Sequence, residues 1–362
     1  MRARILALLL AAGGSVCAQG LEEPRNFKVN LPHDSPLALV SADWGASRAT
    51  ARGGAVEVEI HSTLLFRNQS PKRLRGVSLL VLAQQVAPGG KASVTVPALD
   101  VAPGEQFPVR VDLAVMRPLA LAGGEDLVEI GLDGVLFDDL TFYGPDRLRT
   151  RRVLIAWDLE ARRDRRALLA ALRTGGAEAL RTRLIDILAR AAQPQGEMRA
   201  ARALPATNLA ETAVEVAFVA QPSAPVELLN GSARLAGAEA RAPKFDLLNR
   251  SGRTVKFVEV YWLLKSQNGL LAPAGSLPAD LLLKPGERAT VSRNAALRMG
   301  QPISGLTGFV SAVEFENGEM WVPPRPGDGP MSVAISGEER RLAELYRRKG
   351  LDAVIQQLNP GR

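Results

Sequence analysis

Two histidines, one cysteine and a few charged runs are the residues of this 362-residue chain whose types could do chemistry. His33-Asp34-Ser35 holds the three residue types of a hydrolytic triad, but consecutive residues cannot converge on one substrate atom. No Gly-x-Ser-x-Gly elbow accompanies it, which argues against a serine hydrolase. His61 falls at a polar position of an alternating stretch and is expected on the surface. Glu125, Asp126, Glu129, Asp133, Asp138 and Asp139 form the one acidic run able to offer oxygen ligands to calcium. EF-hand spacing is absent, however, and Asp133-Gly134 and Asp138-Asp139 have the composition of turns. No phosphate loop or dinucleotide fingerprint occurs, so no metal, cofactor or catalytic residue is assigned. Acids are plentiful enough for a paired-carboxylate glycosidase, but an aromatic content of 5% is thin for a sugar cleft.

One candidate site remains, a basic patch for an anionic partner. Arg147, Arg149, Arg151 and Arg152 form its first run, and Arg162, Arg163, Arg165 and Arg166 its second. A formal charge of +7 adds weak attraction to anionic surfaces such as polysaccharide or lipid headgroups. No aromatic residues interleave to stack bases, so nucleic acid is not an expected partner. Asp146, Asp158, Glu160 and Asp164 half neutralise the runs, which makes an ordinary solvated face the plainer expectation.

The N-terminus has the three parts of a secretory signal: Arg2 and Arg4, an apolar run over residues 5–12, and small residues before a cut after Ala18. That cut removes Cys17, the only cysteine, and lowers the charge from +7 to +5. Gly14 and Val16 fit a lipidation signal poorly. No later stretch has the roughly 18 apolar residues of a membrane span. A chain without disulfides and rich in Arg and Ala points to export in a bacterium, to the periplasm or exterior.

The elements that must position any site occur twice. Asn68-Gln69-Ser70, Pro103-Gly104-Glu105 and Phe137-Asp138-Asp139 are answered by Asn249-Arg250-Ser251, Pro285-Gly286-Glu287 and Phe315-Glu316-Asn317, about 180 residues on. Residues 56–66 alternate apolar and polar, as a half-buried strand does, and 242–248 is a shorter partner. Residues 77–82 and 258–264 are apolar on both faces and suit central strands, with Trp262 as a core residue. Gly45 and Gly231 are expected in turns. Asn317-Gly318 marks a late hairpin, and residues 135–143 read as the same hairpin without the glycine. Each copy closes on a helical hairpin, with turns at Gly175-Gly176 and Gly350. The leucine stripes Leu168, Leu172, Leu180, Leu184, Leu188 and Leu342, Leu345, Val354, Leu358 are expected to pack on the adjacent sheet. Asn68 and Asn249 satisfy the glycosylation rule, but in a bacterium the match is turn chemistry.

This order of turns and strands resembles bacterial immunoglobulin-like accessory modules of the CARDB and FxLYD types, over residues 36–145 and 225–324. The resemblance implies modules that bind or space other molecules and are seldom catalytic. The expected fold is mainly β: two tandem Ig-like β-sandwich repeats, each followed by a short helical hairpin. Residues 1–18 form the signal peptide, 19–35 an N-terminal linker, 36–152 the first sandwich and 153–192 a helical segment. A linker and strand lead-in (193–213), the second sandwich (214–330) and a C-terminal helical segment (331–362) follow. The expected function is non-enzymatic binding or scaffolding of another envelope or extracellular protein. A carbohydrate-binding or carbohydrate-active protein, or a pure spacer, are the alternatives.

Overall fold

A computed structural model describes residues 27–84, 89–119, 127–193, 196–200, 211–324 and 329–359. The signal segment, Cys17, Glu125 and Asp126 lie outside the described residues. The chain is mainly β and divides into two compact units. Described parts of Met1–Val96, Val101–Val135 and Tyr143–Leu148 form the first; those of Pro97–Asp100, Leu136–Phe142 and Arg149–Arg362 form the second.

The first unit contains β1 (Phe27–Asn30), β2 (Leu37–Asp43), β3 (Arg48–Arg52), β4 (Ala55–Asn68) and β5 (Leu74–Leu82). It continues with β6 (Lys91–Val96), β7 (Gln106–Pro118), most of β8 (Val128–Phe137) and the last residue of β9 (Phe142–Tyr143). One sheet has the order β1-β8-β5-β6, with β9 also on β8 and β1 parallel to it. In the other, β7 pairs along β4 from Ala55 to Arg67, while β2 and β3 share β4's opposite edge. The alternation read in β4 is real: Val58, Ile60, Leu64 and Phe66 are fully buried and Ser62 is buried with them, whereas Glu57, Glu59, His61 and Thr63 are not. Each such side chain contributes roughly 1.5–3 kcal/mol of burial, enough to hold the strand in register. Residues 19–35, expected as a linker, supply β1.

The second unit contains α1 (Thr150–Ala191), β10 (Glu197–Ala200), β11 (Thr212–Glu215), β12 (Ala217–Phe218), β13 (Val226–Ala236) and β14 (Glu239–Asn249). Then come β15 (Val255–Ser266), β16 (Leu271–Leu283), β17 (Arg288–Ser292), β18 (Ala295–Arg298), β19 (Ile303–Phe315) and β20 (Met320–Trp321). A short 3-10 turn (Pro330–Val333) leads to α2 (Gly337–Lys349) and α3 (Leu351–Leu358). Its sheets run β12-β19-β15-β16, with β20 on β19, and β10-β18-β14-β13-β11, with β17 on β14. Trp262 is fully buried in the central strand β15, with Phe245 edge-on at 5.6 Å. Four residues of the expected linker form β10, hydrogen-bonded to β18. Gly231 is not in a turn: it lies inside β13, where a Cβ would come within 2.7 Å of the Phe218 ring, and close approach explains the glycine.

The helices correct a second expectation. The stripe Leu168, Leu180, Leu184 and Ile187 packs on Leu342, Ala343, Val354 and Leu358, so the helical segments bury each other's stripes and not those of neighbouring sheets. α1 starts at Thr150, well before the helix expected from the leucine spacing, and its path breaks at Gly176 (φ 67°). Its first turns place Leu154 and Ile155 against Leu136, Leu140, Phe142 and Met320.

The paired Asn-x-Ser and Pro-Gly-Glu turns meet in the same clasp in both units. Fully buried Asn68 donates from Nδ2 to the carbonyls of Lys72 (2.8 Å) and Val101 (3.2 Å), and its Oδ1 accepts from Ser70 N–H and Oγ–H. Asn249, equally buried, donates to Arg253 and Leu283 (both 2.8 Å) and accepts from Ser251. Gly104 N–H and Gly286 N–H close the clasp onto the carbonyls of Asn68 and Asn249. Neither amide is available for modification.

Candidate functional site

The basic runs are drawn largely into the second unit's interior. Glu314 on β19 is 2% exposed and accepts from Arg151 Nη2 (3.1 Å) and Lys256 Nζ (3.1 Å), and also from Arg152 Nε. Arg152 also bonds Asp280 and lies over the Phe257 ring, 4.4 Å from its centroid. Arg162 meets buried Asp158 at 2.6 Å and the Asp138 carbonyl at 2.6 Å. Arg163 grips Asp164, itself fully buried, and the Pro323 carbonyl at 3.0 Å. Arg165 reaches Glu338 at 2.6 Å. Burial acts to raise the Glu338 carboxyl, but Arg341 and Arg165 outweigh it and hold the group below the usual carboxylate range. Arg147, in the first unit, is exposed, as are Arg149, which touches Asp280 at 3.2 Å, and Arg166. Five of the eight residues of the expected patch therefore pair with internal carboxylates, while Arg147, Arg149 and Arg166 are exposed.

The described members of the acidic run have separate partners. Glu129 accepts from Asn30 Nδ2, and buried Asp133 accepts the backbone N–H of Arg147 (2.8 Å) and Leu148 (3.2 Å). Asp139 caps Thr141, the turn role its composition indicates. Among the described residues no group of three His, Cys, Asp or Glu side chains is placed to hold a metal ion. His33 lies outside any bonded cluster, and His61 Nδ1 sits 2.8 Å from Asp112 on an exposed surface.

A different arrangement stands out on the outer face of β15 and β19. Strand alternation sends Val258, Val260 and Trp262 inward to the core and turns Glu259 and Tyr261 outward. Tyr261 stacks on Phe309 of β19 at 5.3 Å, and Ser311 stands two residues further along that strand. Helix α1 supplies Trp157, Glu160 and Arg163, and the segment from Met331 to Gly337 closes the far wall. The resulting groove encloses about 180 Å³. An adjoining cavity of about 410 Å³ shares Trp157, Glu160, Ile335, Ser336 and Gly337 with it.

Glu160 is the unusual group here. Its carboxyl makes no hydrogen bond or ion pair among the described residues, and burial pushes it up to about 7. Arg163 opposes that rise, while Asp164 and Glu259 add to it. Burial, and then the Glu160 charge, raises the Tyr261 phenol. Glu259 has only hydroxyl partners: Ser276 Oγ at 2.7 Å and Ser311 Oγ at 3.1 Å. Chemically the groove offers an acid that titrates near neutrality, a second carboxylate close behind it, and aromatic walls. Sequence reasoning saw Glu160 only as a neutraliser of neighbouring arginines, because nothing local shows that β15 and β19 lie across from it.

No family model matches the chain, and no curated sequence matches it. Among solved structures, a selenomethionine-labelled β-glucosidase from Kluyveromyces marxianus aligns with 71% of this chain and 45% of its own, at 10% identity and TM-score 0.16. Red sea bream transglutaminase aligns over 78% of this chain and 29% of its own, at 8% identity and TM-score 0.14. The chain thus spans less than half the length of either protein, and likenesses this slight carry no argument about its fold or activity.

Proposed function

We propose that the chain is an exported, non-enzymatic binding or scaffolding protein of the bacterial envelope, built from two immunoglobulin-like β-sandwich domains. The tandem arrangement is supported by the matched strand orders β1-β8-β5-β6 with β9 and β12-β19-β15-β16 with β20, and by the clasp repeated at Asn68 and Asn249.

The observation that carries the binding role is the free edge of β7. Among the described residues this strand pairs only with β4. Met116 N–H turns instead to the Gly89 carbonyl, at 2.9 Å. Backbone groups alternate sides along a strand, so Arg110, Asp112 and Ala114 also point theirs away from β4. All three are exposed, and among the described residues no other backbone bonds them on that side. Pro108 shares their parity and has no N–H to leave unpaired. Such an edge can accept a strand from a partner, while Pro108 and the charges of Arg110 and Asp112 discourage indiscriminate pairing.

Ala114→Pro tests this, because it deletes an outward N–H and leaves the β4 bonds in place. Wild type is expected to capture an envelope protein whose cross-links, from a photoreactive residue at 112, map to an extended segment. The Pro variant should melt normally and lose that capture. Undiminished capture by the variant, or cross-links that never reach β7, would refute the role.

A further inference from the structure

The groove between α1 and the outer face of β15 and β19 is independent of the β7 edge. Its walls are the Trp157 indole, 39% exposed, and the stacked Tyr261 and Phe309 rings. Of the cations close to it, Arg163 is tied to Asp164 and the Pro323 carbonyl, Arg165 and Arg341 to Glu338, and Arg190 to Asp186 and the Ser332 carbonyl. Glu339 is occupied by the capping box with Ser336 at the start of α2. Arg340 is exposed and lines the adjoining cavity, from where its charge also reaches the Tyr261 phenol and opposes its rise. Glu160 and Glu259 are the two carboxylates left without a cation, and they are near enough for each charge to act on the other.

Aromatic faces and an uncompensated carboxylate are what a desolvated organic cation requires: the ring quadrupoles attract positive charge, and the acid pairs with it. We infer that this groove is a binding site for a small alkylammonium ligand, held against Trp157 and Tyr261 and paired with Glu160, with Glu259 adding its field from behind Ser311. An anion would meet two carboxylates. A neutral apolar ligand would leave the half-buried Glu160 without a partner, as it is now. Bound ammonium supplies that partner and draws the carboxyl into its ionised form, so binding near neutrality must release a proton.

Calorimetric titration of the full chain with n-butylamine, and with 1-butanol as its neutral counterpart, tests the site. Butylamine stays cationic from pH 6 to pH 8, whereas Glu160 passes from mostly protonated to mostly ionised. Affinity should therefore rise about tenfold across that interval, with proton release seen as a buffer-dependent heat at pH 7. Butanol should bind at least tenfold more weakly. Glu160→Gln should lose at least tenfold in butylamine affinity together with its pH dependence. Glu259→Gln should weaken binding less and shift the pH profile to lower values. Affinity for butylamine that is flat with pH, equal binding of butanol, or an unaffected Glu160→Gln would each overturn the assignment. So would absence of saturable binding, or saturable binding of methyl glucoside in place of the amine. The wild-type pH series decides the matter even if a variant fails to fold, and no result with the groove bears on β7.

Discussion

Replacing Glu314 by Gln should show that the arginine runs are internal struts. The carboxylate is 2% exposed and is approached by Arg151, Arg152 and Lys256, whose side chains are 26%, 24% and 33% exposed. Gln preserves the size and one acceptor, so the substitution isolates the charge. Breaking a buried ion pair costs about 3–5 kcal/mol. The three cations keep some contact with water, which reduces the figure to about 2–4 kcal/mol. For a unit of roughly 200 residues each kcal/mol lowers the melting temperature by about 2–4 °C, giving a loss of about 5–15 °C. Differential scanning calorimetry of the full chain measures this, with Arg149→Ala as control. Arg149 is 76% exposed and its partner Asp280 54%, so that pair should be worth less than about 1 kcal/mol. A shift below about 2 °C for Glu314→Gln, or an equal shift for Arg149→Ala, would refute the strut assignment and return Arg151 and Arg152 to candidacy as a partner surface.

The other expectations rest on equally local chemistry. Asn68→Ala and Asn249→Ala should each cost about 2–4 kcal/mol in urea unfolding, since each removes a fully buried amide that donates to two carbonyls and accepts from a serine; a large effect at one and none at the other would break the equivalence of the clasps. Gly318→Ala should destabilise by about 1–2 kcal/mol, because Gly318 has φ 82° and a Cβ there lies 2.8 Å from Arg151 Nη2. Ser336→Ala removes the cap of α2 and should cost about 1 kcal/mol, read by thermal melts. Glu160 has a folded-state value near 7, above its unfolded one, so the folded state holds more protons between them and stability falls as pH rises from about 4.5 to 7. Glu160→Gln should therefore be neutral at pH 4.5 and stabilising by about 2–3 kcal/mol at pH 8 in paired melting curves.

Much of the strand framework was legible because it depends on neighbours in sequence. Alternation placed β4, the double-sided apolar run placed β15, and Asn317-Gly318 placed the last hairpin. Leu140 takes the left-handed conformation (φ 65°) where Gly318 stands in the other hairpin, so the turn survives without glycine while the Leu140 side chain packs near Leu154. The Asn-x-Ser and Pro-Gly-Glu motifs each read as turns, but their joining in a clasp does not show locally, because the bonded residues are 33 or 34 positions apart. Charge was the least legible. A run of arginines looks the same whether it faces water or buried carboxylates, and the carboxylates in question, Glu314 and Glu338, lie more than 160 residues away.

The two units differ at matched positions on one outer face. Counting from the Asn of each clasp, Leu80 holds the place of Tyr261, and counting back from Phe137 and Phe315, Gly131 and Asp133 hold those of Phe309 and Ser311. Leu80, Gly131 and Asp133 line a cavity of about 290 Å³ in the first unit. Its acid is spent: Asp133 is fixed by the backbone of Arg147 and Leu148, and the turn allows no side chain at Gly144, where a Cβ would stand 2.5 Å from the Asp133 carbonyl. In the second unit the same outer face carries aromatic rings, and α1 brings a carboxyl with no partner. Of the acidic run, the more conspicuous signal in sequence, Glu129, Asp133 and Asp139 are thus engaged by neighbouring groups. The quieter Glu160 is the acid with no partner among the described residues, and an acid is available for a ligand only where the fold has not already paired it.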